Sequence, residues 1–260
     1  MIYFLGDVHG RFDRVVETVR ERRPDAVVFL GDLDCKRPLH EELAEIRDLT
    51  EVWYIPGNHD SDAASSWDNL TCAEMADRNL HGRVVEIAGV RVAGLGGVFR
   101  GEIWYPPEPP QFDNYESWRR KEVPQSRQAV LGDSPKKAAY LASKAARIDA
   151  ERLLRHQSTI FVETVRALER QRADILVTHE APSCHPMGFA ALDEVARRLR
   201  VTRLFHGHHH DCLDYGPFVD AMGFRTIGVG LRGITDEAGR KVVEGELDTA
   251  RSYRGPGRRM

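Results

Sequence analysis

The first part of the chain alternates short apolar runs with helical periodicity. Apolar runs at residues 2–5, 26–30 and 52–55 each end at Gly or Pro, which predicts three buried strands. Between the first two runs, apolar side chains recur at offsets of three, four and seven residues, at Phe12, Val15, Val16 and Val19. This spacing predicts an amphipathic helix. Strand–helix–strand order with short links is typical of a layered α/β domain.

The alternation pauses in the middle of the chain and then resumes. Residues 83–93 predict a β-hairpin, residues 101–135 are rich in Pro and aromatic side chains and predict irregular structure, and residues 136–172 carry a helical pattern. Later apolar runs predict further strands at residues 175–177, 201–205, 225–229 and 242–247. The chain therefore resumes its α/β rhythm after a long interruption.

The length suits a single large domain. A chain of 260 residues with 42% hydrophobic side chains can bury a sizeable core. We interpret the segment at about 100–172 as an insertion that packs on this core, because it breaks the α/β rhythm. The last residues, about 250–260, are basic and contain Gly and Pro, which predicts a flexible tail. We therefore expect one domain over residues 1–260.

Composition and charge narrow the class of protein. Lys and Arg number 37 and Asp and Glu 40, a net charge of −3 that argues against a nucleic-acid coat but allows a local basic patch. The apolar runs are much shorter than the roughly 18–20 residues of a membrane span, and Met1 opens no secretory signal pattern. The four cysteines form no CxxC pair and predict reduced thiols. We expect a cytoplasmic protein without a membrane partner.

Five of the predicted strands end in polar residues of one chemical kind. These residues are Asp7 and His9, Asp32, Asn58 and His59, His179, and His208 and His210. In α/β sheets the carboxyl ends of the strands converge, so residues far apart in the sequence meet in one crevice. Carboxylate, amide and imidazole groups suit Mn, Fe or Zn, and the absence of Cys argues against a thiolate site. A set of this size exceeds the needs of one tetrahedral zinc ion and suits two adjacent metals that share a carboxylate.

The polar strand ends belong to short motifs that together resemble a known family. The motifs are Gly6-Asp7-Val8-His9-Gly10, Gly31-Asp32, Gly57-Asn58-His59-Asp60, His179 and Gly207-His208-His209-His210. In order and spacing they resemble the calcineurin-like metallophosphoesterases, over residues 6–210 but not over the insertion. The resemblance implies a four-layer αββα sandwich of two mixed sheets flanked by helices, with a binuclear metal site at the strand ends.

The resemblance also implies a role for each motif residue. The metal ligands would be Asp7, His9 and His210 for the first ion and Asn58, His179 and His208 for the second, with Asp32 bridging the two. His59 would donate a proton or contact a phosphate oxygen. Asp60 would be the carboxylate that orients His59.

One motif departs from the serine/threonine phosphatase branch of the family. That branch continues its second motif as Gly-Asp-x-x-Asp-Arg-Gly, whereas residues 31–37 here read Gly-Asp-Leu-Asp-Cys-Lys-Arg. The second Asp and the Arg that clamps phosphate are therefore displaced, with Asp34, Lys36 or Arg37 as possible substitutes. This departure disfavours a protein phosphatase and favours branches that act on small substrates.

The expected activity is hydrolysis of a phosphomonoester or phosphodiester bond by a metal-bridged hydroxide. Two metals clamp the phosphoryl oxygens and lower the pKa of a bridging water, and an imidazole such as His59 protonates the leaving oxygen. We expect two divalent ions, manganese first, although Fe, Zn, Co and Ni suit the same ligands. The expected partner is a small phosphoester or nucleotide substrate, acted on by a phosphatase or phosphodiesterase.

Three other functions remain open from the sequence. A metal-dependent nuclease acting on nucleic-acid ends would carry the same ligand set, but the near balance of charge and the lack of a basic stripe disfavour it. A non-catalytic scaffold with the same fold is less favoured, because the chain keeps every expected ligand. A mononuclear zinc hydrolase would leave half of the candidate ligands without a role.

Two basic residues and one aromatic segment have open roles. Arg11 and Arg100 could each contact a phosphate or lie in solvent. The segment at residues 104–118 is rich in Trp, Tyr and Pro, and it could be a lid that selects substrates or a flap that covers the core.

Overall fold

The computed structural model describes residues 1–128 and 135–248, in which ten strands form two five-stranded sheets. The strands of the first sheet are β1 (Ile2–Leu5), β2 (Ala26–Phe29), β3 (Glu51–Tyr54), β9 (Ile234–Asp236) and β10 (Lys241–Val243). Those of the second are β4 (Arg83–Ile87), β5 (Val90–Leu95), β6 (Ile175–Thr178), β7 (Arg203–His206) and β8 (Arg225–Gly228). The fold is α/β, as the sequence predicts.

Both sheets are mixed. The first has the order β10-β9-β1-β2-β3, with β1, β2 and β3 parallel and β9 antiparallel to β1. The second has the order β4-β5-β6-β7-β8, with a parallel run from β5 to β8 and the antiparallel hairpin β4–β5 at one edge. Because the parallel strands of each sheet point the same way, their carboxyl ends lie at one edge of that sheet.

Eight α-helices accompany the sheets. They are α1 (Asp13–Arg22), α2 (Leu39–Glu42), α3 (Ala64–Leu70), α4 (Tyr115–Gln128), α5 (Pro135–Arg155), α6 (Val162–Glu169), α7 (Ala190–Leu199) and α8 (Val219–Met222), within the described ranges. Short 3-10 turns occupy His59–Ser61, Ala73–Arg78, His156–Ser158 and Gly216–Phe218.

The two sheets pack face to face between two layers of helices. Phe4 of β1 stacks on Phe205 of β7 with ring centroids 3.9 Å apart, so apolar side chains fill the space between the sheets. The outer face of the first sheet packs on α1 through Val15 and Val19. That of the second packs on α6 and α7, for example through Leu192. Burial of both faces explains why these strands read as continuous apolar runs.

The prediction of irregular structure over residues 101–135 is wrong in part, because α4 begins at Tyr115. The backbone amide of Ser117 donates to the Asn114 side chain at 2.8 Å, which caps the helix. Trp118 is fully buried against Phe112 and Phe161. The Pro and aromatic content of the segment suggested irregular structure, whereas the cap at Asn114 and the burial of Trp118 stabilise a helix there.

The last strands also differ from the prediction. Residues 242–247 were expected to form one strand, whereas β10 covers only Lys241–Val243. The preceding strand, β9, was not predicted, because its three residues are too few to show a periodicity. The expected tail at about 250–260 lies outside the described residues, and the division of the chain into one domain with an insertion stays a prediction.

The described residues contain no helix long and apolar enough to cross a membrane. All four cysteines carry free thiols: Cys35, Cys72, Cys184 and Cys212.

Candidate metal centre

The loops that follow β1, β2 and β7 carry non-glycine residues with left-handed backbones. His9, Asp32, His208 and His210 have φ angles of 44°, 51°, 68° and 58°. Such a conformation costs about 1–2 kcal/mol per residue, and it persists where the surroundings impose it. The strain lies at the loops that bring the candidate ligands together.

Close approach of these loops requires glycine at two positions. A Cβ atom on Gly57 would lie 2.2 Å from Asp32 Oδ1, and one on Gly31 would lie 2.3 Å from His179 Nδ1. Real Cβ contacts are essentially never shorter than 3.0 Å. Gly31 and Gly57 therefore leave room for the side chains of His179 and Asp32.

One cluster gathers side chains from three loops. Asp7, His9, Asp32 and His210 each place a potential ligand atom within 4.8 Å of the others. His9 Nε2 lies 3.1 Å from His210 Nε2, which in turn lies 3.0 Å from Asp7 Oδ2. Lone pairs that converge in this way fit a cation.

Asp34 orients the imidazole of His9. His9 Nδ1 donates to Asp34 Oδ2 at 2.6 Å, and this hydrogen bond raises the pKa of His9. Because Nδ1 is engaged by a carboxylate, Nε2 is the nitrogen that faces the cluster. A carboxylate behind a metal-binding imidazole is a common arrangement in metalloproteins. From the sequence, Asp34 was expected only as a substitute for a displaced motif residue.

The second cluster shares Asp32 with the first. Asp32, His179 and His208 place ligand atoms within 4.8 Å of one another. His179 Nδ1 donates to the Leu30 carbonyl at 2.7 Å, which turns Nε2 toward Asp32 Oδ2 at 3.4 Å and Asn58 Oδ1 at 3.1 Å. The structure thus brings Asn58 to the same cluster, as the sequence predicts.

The electrostatics of this cluster favour a cation. Burial by itself lowers the pKa of His179, but the charge of Asp32 and a hydrogen bond to it raise that pKa to about 10. Burial raises the pKa of Asp32, whereas His179 holds it below its ordinary range. The negative charges of Asp32 and Asp7 raise the pKa of His179, and the same charges create the negative potential that attracts a divalent ion. The residues present therefore fit a metal centre.

Asp60 does not lie where an orienting residue for His59 was expected. It is fully buried, and its carboxylate accepts hydrogen bonds from the backbone amides of Leu33, Asp34 and Gly57 at 2.8–2.9 Å. Burial and the charge of Asp32 raise its pKa to about 7. Asp60 thus joins the loops after β2 and β3, which positions Asp32 and Asn58.

The carboxylate that contacts the His59 ring belongs to Asp62. His59 Nδ1 donates to Asp62 Oδ2 at 2.7 Å, and both side chains are largely accessible. The His59 and His9 ring centroids are 5.5 Å apart, so His59 lies beside the first cluster. The spacing of three residues between His59 and Asp62 was the sequence signal that could have identified this pair.

Glu180 is a further acidic residue at the site, and it was not predicted from the sequence. It follows His179 directly and is buried, and burial raises its pKa to about 7. Its Oε1 accepts from the Phe99 amide at 3.3 Å, and its Oε2 lies 3.9 Å from His208 Nε2. Adjacency to a predicted ligand was the available signal.

Arg37, which was considered as a substitute for the phosphate-clamping arginine, lies apart from the two clusters. Arg37 donates to Glu42 at 2.9 Å on the protein surface. Its guanidinium is therefore engaged by a carboxylate of α2 and does not replace the phosphate-clamping arginine of the serine/threonine phosphatases.

Comparison with known proteins assigns the chain to a family. The sequence profile of the calcineurin-like phosphoesterase family matches residues 1–212. The chain therefore belongs to the calcineurin-like phosphoesterases, which confirms the resemblance drawn from the motifs. Membership in this family implies metal-dependent hydrolysis of phosphoesters.

Similar proteins extend across nearly the whole chain. An uncharacterised protein of Haemophilus influenzae is 36% identical over 244 residues, which cover 94% of this chain and 97% of the relative. Among solved structures, TT1561 of Thermus thermophilus is 15% identical with a TM-score of 0.49, over 94% of this chain and 98% of that one. A hypothetical protein of the same organism is 16% identical with a TM-score of 0.41, over 88% and 75%.

Proposed function

We propose that this protein is a binuclear metal-dependent phosphoesterase that acts on a small phosphoester or nucleotide. The observation that carries the proposal is the position of Asp32, whose carboxylate belongs to both ligand clusters. A single carboxylate between two sets of ligands suits a pair of adjacent divalent ions. We propose manganese as the native metal and the cytoplasm as the compartment, which the four free cysteines support.

We assign each cluster to one ion. The first ion would be held by Asp7, His9 and His210, the second by Asn58, His179 and His208, and Asp32 would contact both. When bound, the ions would polarise the phosphoryl oxygens and lower the pKa of the attacking water.

The chain itself would supply the proton and its alignment. His59 lies beside the first cluster, and its Nδ1 is engaged by Asp62. Its Nε2 is then the atom that can donate a proton to the leaving oxygen, a step worth about 10²–10⁴-fold in rate. Asp34 holds His9, and Asp60 holds the two loops that carry Asp32 and Asn58.

The test compares two aryl esters on the same protein. Metal-stripped protein is resupplied with manganese, and hydrolysis of p-nitrophenyl phosphate and bis(p-nitrophenyl) phosphate is followed. We expect turnover only after metal is restored, and bound metal measured by elemental analysis should reach two ions per chain. The preferred ester distinguishes a phosphatase from a phosphodiesterase.

A matched pair of variants serves as the control. Asp32→Asn should lose metal and turnover together, whereas Asp220→Asn, at an exposed position of α8, should retain both. One ion per chain would indicate a mononuclear hydrolase instead. Two bound ions without turnover of either ester would contradict the proposed activity on simple phosphoesters and favour a scaffold.

A further inference from the structure

Arg100 is a half-buried arginine that forms no ion pair with an acidic residue of the described ranges. It follows β5, and its guanidinium donates to Thr159 Oγ1 at 3.1 Å and to Ser158 Oγ at 3.2 Å. Among the residues that the structure describes, no carboxylate forms an ion pair with it. Burial lowers the pKa of Arg100, which shows the cost of keeping a cation there.

Arg155 places a second positive charge beside it. Arg155 ends α5, its side chain is exposed, and within the described ranges it forms no ion pair either. Its charge is the second cause of the lowered pKa of Arg100. By contrast, Arg152 on the same helix contacts the carboxylates of Glu102 and Glu122. The pair Arg100 and Arg155 is thus a local excess of positive charge.

Hydrogen bonds connect this arginine pair to the metal centre. Ser158 Oγ lies 2.5 Å from Ser61 Oγ, in the turn that begins at His59. Ser61 Oγ also lies 3.4 Å from the Arg155 carbonyl. On the other side of Arg100, the amide of Phe99 donates to Glu180, next to His179.

The same placement is visible in the electrostatics. The charge of Arg100 interacts with the carboxylates of Asp62, Glu180 and Asp32, although none of them pairs with it directly. Together with the hydrogen bonds through Ser158 and Phe99, this places Arg100 on the side of the metal centre formed by His59 and Glu180. The hydroxyls of Ser158 and Thr159 hold its guanidinium in place before any ligand binds, which lowers the entropic cost of binding.

We propose that Arg100 and Arg155 bind a second phosphate group of the substrate, beside the phosphoryl group that is hydrolysed. This inference rests on the proposed function and narrows the substrate to phosphoesters that carry a further phosphate. Bound metal ions would neutralise the reacting phosphoryl group, so two additional cations that form no ion pair within the described ranges match a further dianion. Guanidinium groups bind phosphate oxygens through paired, charge-assisted hydrogen bonds. Both residues lie in or next to the insertion, which would thereby determine specificity.

The test measures binding of inorganic pyrophosphate and of inorganic phosphate to the manganese-loaded protein by titration calorimetry. We expect the native protein to bind pyrophosphate at least about ten times more tightly than phosphate. Arg155→Met and Arg100→Met should each reduce pyrophosphate affinity about ten-fold and change phosphate affinity much less. The control Arg147→Met removes an equal charge from an exposed position of the same helix, where Arg147 contacts Glu151, and should bind like the native protein.

The outcomes separate this inference from the proposed function. If aryl phosphates are hydrolysed but all four proteins bind pyrophosphate equally, the arginine subsite is wrong and the phosphoesterase stands. If no aryl phosphate is hydrolysed but the two variants lose pyrophosphate affinity, the subsite stands and the proposed activity is wrong. Circular dichroism of each variant identifies a misfolded protein, and Arg155→Met, at an exposed position, tests the inference even where Arg100→Met fails to fold.

Discussion

The ring of His59 is hydrogen-bonded to Asp62, with Nδ1 and Oδ2 2.7 Å apart. His59 begins a 3-10 turn and Asp62 is the C-cap of that turn, so the pair forms within four consecutive residues. Asp60, between them in sequence, points inward to three backbone amides instead. The two acidic residues therefore have different roles. Asp62 orients the imidazole of His59, and Asp60 holds the loops after β2 and β3 together through their backbone amides.

This pair makes a prediction about rate without metal loss. His59→Ala should reduce kcat about 10²–10⁴-fold, because it removes the proton donor. Asp62→Asn should reduce kcat by roughly ten-fold, because an amide orients and charges the ring less strongly. Both variants should bind as much manganese as the native protein. Steady-state kinetics with elemental analysis measures the two quantities, and equal metal loss in His59→Ala and Asp32→Asn would contradict this division of roles.

Asp60→Ala should destabilise the fold. The substitution leaves the amides of Leu33, Asp34 and Gly57 without their acceptor, and each unsatisfied buried group costs about 1–3 kcal/mol. We expect the free energy of unfolding of the metal-free protein to fall by about 3 kcal/mol or more. Urea unfolding measures it. Asp62→Ala is the control, because its carboxylate is 68% exposed, and an identical unfolding midpoint for the two variants would refute the structural role of Asp60.

Gly57→Ala should weaken metal binding. The added Cβ would lie 2.2 Å from Asp32 Oδ1 and 2.4 Å from the Asp32 amide nitrogen, so the carboxylate that both clusters share must move. We expect manganese affinity to fall at least about ten-fold. In the control Gly101→Ala, the added Cβ would have nothing within 4 Å. Calorimetric titration with manganese compares the two, and equal affinities would show that the close approach is not required.

His156 should make stability depend on pH. Its side chain is 1% exposed beside Trp118, and burial lowers its pKa to about 4, against an ordinary 6.5. Between these values the unfolded chain binds a proton that the folded chain does not, so the free energy of unfolding falls as pH drops from about 7 to 4. The expected loss from this residue is about 3 kcal/mol.

The variant His156→Gln isolates that contribution. Every other titrating group is common to both proteins, so the native protein should lose about 3 kcal/mol more than the variant over this pH range. Urea unfolding at several pH values measures the difference. Parallel curves for the two proteins would mean that His156 titrates in the folded state as it does in the unfolded chain.

The class of fold and the family could be predicted from the sequence alone. Strands that are buried on both faces appear in the sequence as continuous apolar runs. Each parallel strand at the site is followed by a Gly or by a polar residue of a motif. These are local properties, so the strands β1 to β8 and the motifs from Asp7 to His210 could be located without coordinates. The structure then brings Asp7, His9, Asp32 and His210 into one cluster, and Asn58 and His208 to His179.

The contacts between residues that are remote in the sequence could be identified only in the folded chain. Asp34 is hydrogen-bonded to His9, which is 25 residues away in the sequence, and Arg100 is hydrogen-bonded to Ser158, which is 58 residues away. Helix α4 buries Trp118 against Phe112 of the same segment and against Phe161, which is remote in the sequence. Hydrogen bonds and burial between remote segments leave no periodicity in the sequence, since their geometry exists only after the sheets and the insertion have packed together.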